Sequence, residues 1–231
     1  MKNSRKKIII SADDFGISQL ANKNILLLAK AGKIDRVAVM TAGKFSQKEI
    51  ETLKKTNVKL DLHLDLRTKI PAKRKLTAGI LLRTTAFLLR HLHDRINKSS
   101  KKIQWEEQLE KFRELFGKNP DGLNSHQHVH FFPFYFKLAT QLAEENNINF
   151  IRFGEKGISK NSHKIRHILS WLRTKNLQTF SANKLKSSDY MTSLDWIKNV
   201  PKFITELPEG KTEIVCHPER KEEFEIIKKY F

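Results

Sequence analysis

Four short stretches of this sequence gather carboxylates and imidazoles: Asp13-Asp14, the row Asp61, His63 and Asp65, the run His126-Gln127-His128-Val129-His130, and His217-Pro218. Mixed carboxylate and imidazole donors suit one hard or borderline divalent ion. One carboxylate and two imidazoles would leave positions open for water and substrate. An ion so held polarises a carbonyl oxygen and acidifies a bound water. A second carboxylate beside it can take the water's proton, and a histidine on another strand can protonate a leaving group. No stretch carries this argument alone. An Asp-Asp pair is commonly a turn with a helix cap, and a lone strand histidine is commonly a core residue. The His-x-His-x-His run is more specific, because strand alternation puts its three imidazoles on one face.

These residues need elements that bring them together. Residues 8–12 read as a short buried strand running into Asp-Asp-Phe-Gly. In a regular strand Asp13 and Asp14 point to opposite faces, so the reading ends the strand before them and gives the turn to Phe15-Gly16. Helices are expected at 18–31, capped by Ser18 and stopped by Gly32, and at 46–56, where Ser46 and Glu49 have capping-box spacing. Residues 37–40 form a second strand. Residues 58–66 alternate strictly, with Leu60, Leu62, Leu64 and Leu66 on one face and Asp61, His63 and Asp65 on the other. A strand lining a polar barrel lumen explains that pattern. Further helices are expected at 76–93, 105–115, 134–146 and 195–207, and further strands at 123–129, 150–153 and 212–216. Residues 165–173 read as a basic amphipathic helix with Ile165, Ile168, Leu169 and Leu172 on one face. Strands alternating with helices predict a parallel sheet or barrel of βα units. Each chemical stretch then falls at or near a strand's C-terminal end, where active sites of such folds gather.

At 231 residues and 39% hydrophobic, the chain suits one large domain with a real core. The single cysteine, Cys216, excludes a disulfide scaffold and a cysteine-based zinc cluster. No apolar run approaches the ~20 residues of a membrane span, and the N-terminal run is too short for a signal-peptide core. A soluble, cytoplasmic protein is expected. Its net charge is +19, and the excess is uneven. Residues 67–102 hold eleven Lys/Arg and one acid, and residues 155–186 hold eight and one. A single domain over 1–231, with basic helical insertions at 67–102 and 155–188, accounts for that distribution. Charge this strong raises the question of nucleic acid, but no zinc-finger, RRM or GXXG pattern accompanies it, so nucleic acid is set aside as a partner.

Ser-Ala-Asp-Asp-Phe-Gly (11–16), Leu-His-Leu-Asp-Leu (62–66), Ser-His-Gln-His-Val-His (125–130) and Thr-Glu-Ile-Val-Cys-His-Pro (212–218) together resemble the YdjC-like carbohydrate deacetylase family, which includes the chitooligosaccharide deacetylases. The matches come in the family's order and span nearly the whole chain. The resemblance implies an α/β fold, a distorted TIM-like (β/α) barrel. It also implies one divalent metal, Mg²⁺ or Zn²⁺, and removal of an N-acetyl group from an amino sugar or oligosaccharide. It makes Asp14, His63 and His126 the metal ligands, Asp13 the general base and His217 the acid. Asp65, His128, His130 and Arg152 are expected to support the ligands or contact substrate. The chain departs from the family in two places. Asn124 stands where the family has Asp, and Glu219 follows His-Pro where the family has Gly. The first removes a carboxylate that could back a ligand; the second adds a negative group near the proposed acid.

The basic segments suggest an anionic or lipid-linked carrier for the acetylated sugar, and peripheral contact with an anionic membrane. The apolar side of the 165–173 helix also admits a homodimer. Two rival readings remain: a metal-dependent phosphoesterase or amidohydrolase on a similar barrel, and a non-catalytic polyanion- or nucleic-acid-binding protein. The latter needs none of the Asp/His set.

Overall fold

The computed structural model describes residues 7–66, 98–158 and 164–231. The expected 76–93 helix and most of the first basic segment lie outside these residues. In chain order the elements are β1 (Ile8–Phe15), α1 (Gln19–Lys30), β2 (Arg36–Val39), α2 (Gln47–Lys54), β3 (Lys59–Leu64), α3 (Lys98–Phe116) and β4 (Gly122–Ser125). A 3₁₀ turn (His126–Phe131), α4 (Pro133–Glu145), β5 (Gly157–Ile158), α5 (Lys164–Ala182), β6 (Tyr190–Ser193), α6 (Val200–Thr205), β7 (Thr212–Cys216) and α7 (Lys221–Tyr230) follow.

All the strands are parallel, in the order β4-β3-β2-β1-β7-β6-β5. The sheet curls. Its two edges approach through isolated bridges, Leu123 with Ile151 and Phe150 with Lys186. The result is a single α/β domain whose seven strands curl into a half-barrel, a distorted TIM-like arrangement.

Local sequence explains the well-formed units. Ser18 Oγ accepts from Ala21 N at 3.1 Å to start α1, whose Ala21, Ile25 and Leu28 are buried at helical spacing. Ser46 and Glu49 form the expected capping box on α2. The strands are buried on both faces, as a parallel sheet covered by helices requires.

Several expectations are corrected. β1 does not stop before the acidic pair but runs through it to Phe15. β1's register against β2 shifts between Ala12 and Phe15, and Asp14 has φ 70°. A bulge, not a strand end, frees the two neighbouring carboxylates from opposite faces. Gly16 then turns the chain at φ 107° and packs so tightly on Gly43 that a Cβ there would lie 2.5 Å from Gly16 O. The expected strand over 123–129 ends at Ser125, and Gln127 and His128 both take φ 54°. The three histidines of the run therefore do not share a strand face. On α5, Leu169 and Leu172 are buried but Ile165 and Ile168 are exposed, because the helix extends to Ala182 and seats Leu169, Leu172 and Asn176 inward. The 195–207 helix is broken into a 3₁₀ turn (Leu194–Trp196) and α6, which is capped by Asn199 with Pro201 in its first turn. The 150–153 strand survives only as isolated bridges. No helix among the described residues is long and apolar enough to cross a membrane.

Candidate metal centre

Asp14, His63 and His126 meet at the C-terminal ends of β1, β3 and β4, each offering a ligand atom within 4.8 Å of the others. Asp14 Oδ1 is shared: it lies 3.1 Å from His63 Nε2 and 2.9 Å from His126 Nδ1. The two imidazole rings stand edge to face, centres 5.7 Å apart. Asp14 and His63 are buried, whereas His126 is half-buried, so the cluster opens on the His126 side. The other ring nitrogen of His63, Nδ1, lies 2.5 Å from Asn124 Oδ1. Burial disfavours ionisation of Asp14, but the imidazole contacts outweigh it and hold its carboxyl well below the ordinary range. Burial likewise opposes a charge on His63. The charges of Asp13 and Asp14 and the bond to Asp14 prevail and push its pKa up.

Asp13, close enough to His63 to act on its charge, is held in a buried network. Arg152 Nη1 and Nη2 donate to its two oxygens at 2.7 and 2.8 Å, and Arg152 Nε donates to Glu213 Oε1 at 2.8 Å. Ser11 Oγ donates to the same Glu213 oxygen at 2.7 Å. Burial would raise the Asp13 pKa; Arg152, with His63 adding to it, lowers it to about 2. Arg152 is wholly buried, so it meets Asp13 and Glu213, not an open cleft. A second buried pair, Arg36 with Asp61, sits on β2 and β3 at 2.8 Å (Nε to Oδ2). Asp61 and His63 thus share a strand face but not a task, and Asp65 lies past the end of β3. Its backbone carbonyl accepts from Trp105 Nε1 and Gln108 Nε2, both at 3.1 Å.

His217 follows β7. Its partner is Glu223 of α7: His217 N donates to Glu223 Oε2 at 2.7 Å, and Nδ1 lies 3.6 Å from the same oxygen. Burial opposes protonation, but Glu223 and the charges of Asp13 and Asp14 raise the His217 pKa. Glu219 is not that negative neighbour, since its Oε1 accepts from Ser18 Oγ at 2.6 Å on the exposed side. His130 has both ring nitrogens engaged, Nδ1 with Ser125 Oγ at 2.6 Å and Nε2 with Arg152 O at 2.8 Å. Burial brings its pKa to about 3, so it is a neutral strut for the turn. His128 is also kept neutral, by burial and then by the Arg152 charge. Its Nδ1 is buried with no hydrogen-bond partner.

Sequence reasoning missed Arg36, Glu213 and Glu223. Glu213 had a legible signal, a lone acid inside the apolar strand Thr212–Cys216. An ionised group there is tolerated only with a buried partner. Among the described residues the buried carboxylates are Asp13, Asp14, Asp61, Glu213 and Glu223, and the buried cations are Arg36, Lys101 and Arg152.

Comparison with known proteins identifies the class. Residues 7–229 match the family described as YdjC-like protein, and the chain belongs to that family. It is distantly related to proteins named carbohydrate deacetylase. The human one is 27% identical over 169 residues, covering 68% of this chain and 52% of that protein. The zebrafish (Danio rerio) one is 24% identical over 159 residues, covering 66% and 51%. The chain thus spans about half the length of the curated relatives it matches. Among solved structures, a proposed cellobiose-phosphate cleavage protein from Enterococcus faecalis matches with a TM-score of 0.60 at 17% identity, covering 91% of this chain and 80% of that one. An uncharacterised protein from Agrobacterium tumefaciens matches at 0.51 and 9%, covering 96% and 81%. These two likenesses establish the fold.

Proposed function

We propose that this chain is a metal-dependent carbohydrate N-deacetylase, hydrolysing the acetamide of an amino sugar or oligosaccharide. The observation that carries the reading is the convergence of Asp14, His63 and His126, with the clamped carboxylate Asp13 and the carboxylate-backed imidazole His217 near enough to act on their charges. The donor set fits a divalent cation of the Zn²⁺ or Mg²⁺ kind. Asp14, His63 through Nε2 and His126 through Nδ1 would hold that ion, which supplies Lewis acidity and a more acidic bound water.

The protein groups divide the proton transfers. Asp13 takes the proton of the attacking water. Each of its oxygens receives one Arg152 N–H and keeps a lone pair, and Arg152 keeps the carboxylate ionised. His217, protonated because Glu223, Asp13 and Asp14 favour its charge, gives its proton to the departing amine. Acetate and the free amino sugar result. The positive segments favour a sugar on an anionic or lipid-linked carrier.

The test is acetate release from N-acetylated glucosamine oligomers with Zn²⁺, Mg²⁺, Co²⁺ or Mn²⁺ added. Release that depends on metal and is lost in Asp14→Ala and His126→Ala is expected. Undiminished release in either variant overturns the assignment.

A further inference from the structure

Helix α5 presents a face exposed among the described residues. Its inner side is Leu169, Leu172 and Asn176, and Asn176 Nδ2 donates to Phe131 O at 2.6 Å. Beside it runs a stripe of Lys164, Ile168, Trp171 and Lys175, whose spacing keeps them on one side of a helix, while Ile165, in line with the inner side, is exposed in the first turn. Ile165, Ile168 and Trp171 are 47%, 55% and 59% exposed. The last two are the most exposed large apolar side chains among the described residues. Lys175 Nζ stands 5.7 Å from the centre of the Trp171 ring. The sequence from 156 to 188 holds eight Lys/Arg and no acid.

We infer that α5 is an interfacial helix that rests the domain on an anionic lipid surface. Each part of the stripe has a place there. The isoleucines and the indole enter the boundary between headgroups and acyl chains, while the lysines on either side reach lipid phosphates. A second copy of this chain fits the face poorly, since pairing it would oppose two basic surfaces. Nucleic acid would use the lysines but gains nothing from two exposed isoleucines. The placement matters for the centre described above. α5 crosses from β5 to β6, which are parallel, so its N-terminal end lies at the C-terminal ends of the strands. Its inner face also packs on the turn that carries His126. The stripe is therefore on the same end of the domain as the metal centre. Lipid contact itself does not depend on the deacetylase reading.

The test is co-sedimentation of the whole chain with phosphatidylcholine vesicles, with and without phosphatidylglycerol. Binding to the mixed vesicles at low salt, release at high salt and no binding to pure phosphatidylcholine are expected. Tryptophan emission should shift to the blue on binding. Trp171 carries that signal, because Trp105 and Trp196 are only 1% and 6% exposed. The double variant Ile168→Ser/Trp171→Ser should bind about tenfold more weakly or less well still, having lost two large apolar side chains. Both side chains are exposed, so the circular dichroism spectrum and acetate release from a soluble sugar should match the parent. No binding to the mixed vesicles at low salt overturns the proposal. So does binding by the double variant equal to that of the parent.

Discussion

His63 Nδ1 faces Asn124 Oδ1 at 2.5 Å, across the β3–β4 ladder where the two residues are register partners. An amide oxygen only accepts, so Nδ1 carries the proton and Nε2 is left as the atom that would bind a cation or, in the charged ring, donates to Asp14 Oδ1. The amide thus fixes the tautomer that a carboxylate would fix, without adding charge. Asn124→Leu should lower divalent-ion affinity about 10- to 100-fold. Asn124→Asp should raise it. Calorimetric titration of Zn²⁺ into each folded variant checks both directions.

A cation between Asp14, His63 and His126 would bind the folded state alone, because those residues come from three separate strands or strand ends. Saturating metal at about 100 times its Kd should add about 2.7 kcal/mol to unfolding stability. Chelation should remove that increment, and Asp14→Ala should show none at all. Urea unfolding with and without metal measures it.

Arg152 pairs with Asp13 and Glu213 at once inside a dry interior. Arg152→Met strands both carboxylates and should cost about 3–5 kcal/mol, the usual penalty for breaking a buried pair. The pH dependence has a definite sign. Asp13 has a folded pKa of about 2 against an ordinary 3.8, so its contribution is present above the ordinary value and is lost as pH falls toward 2. Wild type and variant should therefore converge in stability over that acid window, as urea unfolding at graded pH would show.

Glu223 is the group that favours the charged form of His217 once burial is overcome. If His217 is the acid, acetate release falls as pH rises through its elevated pKa. Glu223→Gln should move that alkaline limb to lower pH with KM little changed. An unmoved limb would show that Glu223 does not set the proton affinity of the acid.

Parts of this arrangement were legible in the amino acids, and the reasons differ. The alternation of residues 58–66 survives because β3 is a regular strand, so His63 stays on the face where the period puts it. Asp13 and Asp14 were recognisable as a pair, but their geometry rests on a bulge that no local pattern announces. The run from His126 to His130 also has period two, yet it turns. Two successive left-handed residues undo the alternation, and His130 is spent on Ser125 and Arg152 O. β6 was invisible because Tyr-Met-Thr-Ser is neither a continuous apolar run nor an alternating one. The Arg36–Asp61 and Arg152–Glu213 pairs join residues 25 and 61 positions apart, beyond the reach of any local pattern.

The isolated bridges at Phe150 and Ile151 act as a clasp on the open side of the half-barrel. Leu123 N to Phe150 O, Arg152 N to Leu123 O, Ile151 N to Lys186 O and Lys186 N to Asn149 O are the bonds across it. Its tongue ends in Arg152, whose side chain grips Asp13 and whose carbonyl holds His130. Unfastening the clasp would loosen the grip on Asp13 and the prop under the His126 turn in one event. A fastened clasp and an ordered centre are therefore a single mechanical state.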